Sequence, residues 1–272
     1  MIALDIGGTK VKYGIFDESL SSFGQFDVSD TTGREAVVEN VVAFLKKNHT
    51  DHIGISAPGP FDYENGISFM RHKLTSLHGV SLKEIFENEF PHTKVFFIHD
   101  AHAFALGVME ENKGLLNENF SGLMLGTGIG YINVEKGVPK LNDSGTPQNP
   151  LWNMPFKDGV AEDYVSTKAL LNSAKEKGFC FDNIKSMSDE ARNGNKDLLE
   201  IFGNCGETLG ECTEIKRKEH SFTTVAIGGQ ISKSFDLMRN GFEKVSAVPA
   251  YVVKNPARCA LYGLKCFYER II

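Results

Sequence analysis

One pattern occurs twice in this chain and limits what it can fold into. Residues 2–6 are apolar apart from Asp5, residues 7–10 read Gly-Gly-Thr-Lys, and Val11, Tyr13 and Ile15 then alternate with Lys12, Gly14 and Phe16. Residues 122–135, GLMLGTGIGYINVE, repeat the plan around Gly126-Thr127-Gly128. Each stretch reads as strand, tight turn, strand. Glycine takes positive φ at little cost and lets a ligand approach the backbone. Exposed N–H groups beside a hydroxyl or an ammonium suit a phosphate. One such turn is equally well an ordinary hairpin with a polar tip. Two of them, about half a chain apart, imply an internal repeat. The expectation is two similar domains whose turns face each other across a cleft and grip one polyphosphate. Asp5 ends a strand that is otherwise buried, and a carboxylate there needs a partner, for which a magnesium ion or its waters would serve.

Composition narrows the class. The 272 residues suffice for one large domain or two smaller ones, and 41% hydrophobic with 24% charged residues is the balance of a soluble globular chain. A net charge of -6 argues against a nucleic-acid surface. No apolar run reaches membrane-spanning length, and the start lacks the basic and apolar regions of a signal peptide. The five cysteines, Cys180, Cys205, Cys212, Cys259 and Cys266, include no CxxC and all fall in the second half. Buried thiols in a reducing cytoplasm are the expectation, rather than disulfides or zinc.

The remaining elements follow in order. A third strand is predicted over 21–28. A helix over 33–48 carries Val37, Val38, Val41, Val42 and Leu45 at helical spacing. A strand over 53–57 runs into Pro58-Gly59-Pro60, and a helix over 81–90 has Ser81 as N-cap with Glu84 three residues on. The strand at 94–98 ends in His99-Asp100-Ala101-His102, and a helix over 101–111 follows. Ligands in α/β sheets bind beyond the C-terminal ends of such strands, so Asp100 is a candidate general base. It is equally well a helix cap. A metal site from His99, Asp100 and His102 is the weaker reading, because three adjacent residues seldom converge on one ion.

Residues 138–158 form a proline-rich loop, expected to be anchored by Trp152 and Phe156. Helices are predicted over 159–177, with Glu162 in its first turn, and over 197–218, with Cys205, Leu209 and Cys212 inward; one short helix is allowed between them, in 181–195. A strand over 223–227 leads into Gly228-Gly229-Gln230 and a helix over 231–245, a junction that permits close approach of a nucleotide. A last strand over 251–253 precedes a helix over 257–271 with Leu261, Leu264, Phe267 and Ile271 on one face.

With these residues in place, the sequence resembles the ROK (repressor, open reading frame, kinase) family of sugar kinases, in the actin-like, ribonuclease H-like ATPase superfamily. The carriers are DIGGTK at 5–10, APGP at 57–60, HDAHAFALG at 99–107, LGTGIG at 125–130, GVAEDYVS at 159–166 and AIGGQIS at 226–232. The resemblance implies an α/β fold of two actin-like lobes facing an interdomain cleft. One lobe would span 1–108, completed by 257–272, and the other 109–256. It implies that Asp5, Gly7, Gly8, Thr9 and Lys10, with Gly126, Thr127 and Gly128, line the phosphates of ATP. Magnesium would be held by Asp5 through water, and Gly228 and Gly229 would lie against the adenosine. Asp100 would take the proton of a sugar hydroxyl, with Gly59, Ser76, His99 and Glu162 as further sugar contacts. The implied partner is a small sugar or sugar derivative, with no nucleic acid and no membrane, and a homodimer is allowed.

The departures from the family pattern are specific. His99 stands where the family usually has Asn before the catalytic Asp, and Ser76 stands where it has a sugar-binding Asn. The interval where the family's histidine and zinc-binding cysteines should fall, 145–162, has neither His nor Cys, so no zinc site is expected. The phosphate turn begins at residue 5, so the helix-turn-helix of the family's repressors is not expected before it. The rival readings are a catalytically silent sugar- or nucleotide-binding regulator and a kinase of a non-sugar hydroxyl compound.

Overall fold

The computed structural model describes residues 1–8, 10–28, 33–48, 50–71 and 75–271, with the side chains of 33–36 left out. The chain divides into two compact units: residues 1–111, 141–146 and 257–272, and residues 112–140 and 147–256.

The first unit is built on a five-stranded sheet. Strands β1 (Ile2–Ile6), β2 (Lys10–Phe16) and β3 (Leu20–Asp27) form an antiparallel meander. After helix α1 (Gly33–Lys47), strand β4 (His52–Ala57) joins β1 in parallel. A small ribbon, β5 (Phe61–Asp62) with β6 (Ile67–Ser68), precedes helix α2 (Leu82–Glu89), where the Ser81 hydroxyl accepts from the Glu84 N–H as the sequence predicts. Strand β7 (Lys94–His99) then pairs with β4, and helix α3 (Asp100–Glu111) starts at the next residue. One face of the sheet buries Ile2, Leu4 and Ile6 with Val37, Val41 and Leu45 of α1 and Leu82 and Phe86 of α2.

The second unit repeats the sheet. Strands β8 (Phe120–Leu125), β9 (Ile129–Glu135) and β10 (Val138–Pro139) are the meander, and β13 (Thr224–Gly228) and β14 (Ala250–Val252) extend it in parallel from β8. Between them lie the ribbon β11 (Pro155–Phe156) with β12 (Gly159–Val160), and helices α4 (Thr167–Glu176), α5 (Ile184–Arg192) and α6 (Lys196–Glu219). Helix α7 (Phe235–Val245) follows β13. The order β10-β9-β8-β13-β14 matches β3-β2-β1-β4-β7 strand for strand, so the repeat seen in two turns is a repeat of whole sheets. Leu123, Leu125 and Ile227 pack against Phe202 and Leu209 of α6 and Phe235 and Phe242. Cys205 and Cys212 lie in this core, where burial pushes their thiols up to about 12 and leaves them unreactive.

The last helix, α8 (Cys259–Ile271), returns to the first unit and packs on α3. His102 of α3 meets Phe267 of α8 edge to face, ring centroids 5.4 Å apart. Burial, with the charges of His99 and Arg270, brings its pKa from 6.5 down to about 4. The folded state therefore binds fewer protons than the unfolded one between those values. The neutral ring's contribution is complete above about pH 6.5 and is lost as pH falls through 4, by up to about 3 kcal/mol. Urea unfolding of wild type and His102→Gln at pH 7 and pH 4.5 should show the wild type losing more stability on acidification. Parallel losses would place the acid limb elsewhere.

Five expectations need correction. Cys180 is exposed and Cys266 half-buried, so only three of the five thiols are buried. The helix expected from 159 begins at Thr167: Val160 is extended, Asp163 accepts from the Val160 N–H, and the Ser166 hydroxyl caps α4 by accepting from the Ala169 N–H. The helix expected over 231–245 starts as a 3-10 turn, Ile231–Ser234, before α7. Ile271 is 56% exposed, so the apolar face of α8 ends before it. Trp152 is 53% exposed and so is not a buried anchor of its loop, whereas Phe156 is buried.

Candidate active site

In the first unit, sheet register sets the surroundings of Asp5. Lys12 on β2 and Ser56 on β4 lie directly across from it on either side. The Lys12 ammonium donates to Oδ2 at 3.0 Å and the Ser56 hydroxyl to Oδ1 at 2.9 Å. The partner that the carboxylate needs is supplied by the sheet. At the turn beyond, the Gly7 N–H closes onto the Lys10 carbonyl at 2.9 Å. The Lys10 ammonium is exposed, 3.8 Å from a still more exposed Asp27, a pair too solvated to hold it. Thr9 lies outside the described residues. Magnesium commonly takes one or two carboxylates together with substrate phosphates. Asp5 beside a glycine turn fits that donor set through water, since both its oxygens already accept within the sheet. Among the described residues no group of three or more His, Cys, Asp or Glu could hold a metal by itself.

At the junction of β7 and α3, one N–H serves two side chains. Ala101 N–H donates to Asp100 Oδ1 at 2.7 Å and to His99 Nδ1 at 3.0 Å, and these two acceptor atoms are 2.8 Å apart. The other ring nitrogen, His99 Nε2, lies on the Gly59 side: a Cβ built on Gly59 would sit 3.7 Å from it and 3.5 Å from Thr146 Cγ2. Tyr63 closes the group, its ring centroid 5.9 Å from that of His99 and its hydroxyl donating to the Ala57 carbonyl. Burial, and then the charge of Asp100, pushes that hydroxyl far above the ordinary tyrosine value, so it stays a donor. Thr146 arrives on a compact turn, in which Asn142 Oδ1 accepts from the N–H groups of Ser144 and Thr146 and Gly145 takes φ +73° beside the Tyr63 ring. Gly59, His99 and Asp100 thus come together, with Tyr63 and Thr146 as members that sequence reasoning missed. Asn-Asp-Ser-Gly is a legible turn, but its docking against Tyr63 is not. Ser76 sits in a 3-10 turn, Thr75–Leu77, that packs on α1.

In the second unit, the Gly126–Gly128 turn is tied from three sides. Gly126 N–H closes onto the Gly128 carbonyl at 3.0 Å. Thr167, the first residue of α4, donates both its N–H and its hydroxyl to the Gly126 carbonyl, each at 2.9 Å. Glu162 Oε2 accepts from the Ile129 N–H at 3.0 Å and fills the space that a Cβ on Gly128 would need. The N–H groups of Thr127 and Gly128 have no partner among the described residues, and Thr127 is exposed. Next to this turn, Gly229 takes φ +85° at the end of β13, and any Cβ there would strike the Leu125 carbonyl. The Ser232 hydroxyl holds the Gly229 carbonyl at 2.7 Å. The motifs at 125–130, 159–166 and 226–232 are therefore neighbours.

The model of the ROK family matches residues 1–138. A glucokinase from Thermotoga maritima is 30% identical over 273 residues, covering 88% of this chain and 84% of that enzyme. A ROK family glucokinase from Streptomyces griseus, solved in complex with glucose and AMPPNP, superposes with a TM-score of 0.80 at 20% identity, covering 97% of each chain. A ROK family transcriptional regulator superposes with a TM-score of 0.77 at 14% identity, covering 98% of this chain and 78% of the regulator. These likenesses show the fold, two actin-like, ribonuclease H-like lobes.

Proposed function

This chain belongs to the ROK family, and we propose that it is an ATP-dependent sugar kinase. The observation that carries the reading is Asp100, a carboxylate at the C-terminal end of β7, in a chain with a glycine turn in each unit. A protein that only binds nucleotide or sugar needs the turns but no base.

In this reading the phosphates of ATP are ligands of Asp5, Gly7, Gly8, Thr9 and Lys10 and of Gly126, Thr127 and Gly128. The N–H groups of Thr127 and Gly128 act as preset donors. Gly228 and Gly229 lie against the adenosine. Gly59, Ser76, His99 and Glu162 contact the acceptor, and Asp100 takes the proton of the hydroxyl that reacts. That oxygen forms a bond to the γ-phosphorus, the bond from the γ-phosphorus to the β–γ bridging oxygen breaks, and ADP leaves. Magnesium, met by Asp5 through water, would neutralise charge on the phosphates. Most of the remaining catalysis is positioning, which these short backbone segments supply.

Calorimetry with AMPPNP should show binding that requires magnesium, and ATP turnover should respond to one member of a panel of hexoses, amino sugars and glycosides. Absence of magnesium-dependent nucleotide binding would sink the reading. A second reading, transfer to a non-sugar hydroxyl compound, draws support from the imidazole of His99 and the methyl group of Thr146 beside Gly59. Turnover that ignores every sugar but responds to another polyol would favour it.

A further inference from the structure

We infer that Thr167 is a positioning residue that sets the shape of the second phosphate turn, with Glu162 holding its other side. The inference rests on the kinase reading, and its basis is an account of the turn's backbone. The first N–H groups of a helix have no partner within the helix. At α4, Ser166 Oγ accepts from the Ala169 N–H, the ordinary capping arrangement. The Thr167 N–H is spent differently, on the Gly126 carbonyl, and the Thr167 hydroxyl donates to the same oxygen. Gly126 N–H is closed onto Gly128, and Ile129 N–H is taken by Glu162. Four donors are thus committed around a three-residue turn, and those of Thr127 and Gly128 are left over. Both fixed ends come from the single stretch 162–167. A side chain on Gly128 is impossible while Glu162 stays where it is.

The clamp has a specific cost. A lone N–H on the Gly126 carbonyl leaves that carbonyl free to swing about one bond. A second donor from a rigid helix end fixes it, and with it the peptide that carries the Thr127 N–H. Removing the hydroxyl leaves the fold and the exposed chemistry unchanged, because Thr167 itself need not touch the nucleotide.

The test is calorimetry with AMPPNP and magnesium on Thr167→Val, Thr167→Ser and Ser166→Ala. Thr167→Val keeps shape and N–H but lacks the hydroxyl, and should weaken binding roughly three- to tenfold, the weight of one hydrogen bond. In kinetics the loss should appear in KM for ATP more than in kcat. Thr167→Ser should restore wild-type affinity. Ser166→Ala removes the α4 cap without touching the turn and should bind as wild type does while melting lower. Wild-type affinity in Thr167→Val overturns the inference, and so does an equal loss in Ser166→Ala, which would mean that α4 acts only through its stability. Wild-type protein that binds no nucleotide overturns the kinase reading and the clamp with it.

Discussion

Asp100→Asn should lower kcat by roughly 10² or more while leaving nucleotide affinity and melting temperature near wild type. The geometry makes this substitution clean. Asp100 is the first residue of α3, and its Oδ1 accepts from the Ala101 N–H at 2.7 Å. Asparagine offers an oxygen of the same reach and caps a helix about as well as aspartate. Only the basicity disappears. If the carboxylate serves merely to begin α3, the variant should keep its activity. His99 sharpens the contrast, since its Nδ1 shares the Ala101 N–H and stands 2.8 Å from Oδ1. An amide that keeps its oxygen on the Ala101 N–H preserves the local structure and is still unable to take a proton. Full activity in the variant would sink the assignment of Asp100 as base and move attention to His99.

What the sequence made legible follows the range of the interactions involved. The hairpins β1–β2 and β8–β9 were readable because alternation and glycine turns are local signals, and the matching sheet order shows that the repeat ran deeper than the motif. The helix start at 159 was misread because Ala161, Glu162 and Asp163 suit a helix by composition. Asp163 instead accepts from the Val160 N–H, and Ser166 supplies the cap of a helix that begins at Thr167, eight residues later. The Lys12–Asp5–Ser56 row needed the pairing of β4 with β1, a contact across 51 residues that no local pattern encodes. The same holds for Thr146 beside Gly59 and for Thr167 on Gly126. Of the candidate site, the chemistry-bearing side chains could be picked from motifs. The residues that hold them in place could not, because they act through tertiary contact.

The second large effect concerns two glycines, Gly107 and Gly263, at the crossing of two helices. Where α8 crosses α3, a Cβ on Gly263 would overlap the Ala103 carbonyl oxygen and lie 3.0 Å from the Gly107 nitrogen. A Cβ on Gly107 would in turn strike the Cys259 carbonyl. The helices touch backbone to backbone, so no side chain can swing aside to admit a methyl group. Gly263→Ala must push α8 away from α3 and loosen Leu261 and Leu264, both fully buried. Overpacking costs typically about 1–3 kcal/mol, and a backbone clash belongs at the upper end or beyond. The gain in helix propensity returns at most about 1 kcal/mol. A net loss of about 2 kcal/mol or more should lower the melting temperature by roughly 4–8 °C. Gly203→Ala is the matched comparison: Gly203 lies within α6, and a Cβ there would meet nothing within 4 Å. It should be neutral or stabilising. Because α3 begins at Asp100, displacing α8 should also lower kcat at temperatures where Gly263→Ala remains folded. Equal melting of Gly263→Ala and wild type would mean that the spacing of α3 and α8 is set by side chains rather than by these two bare turns of helix.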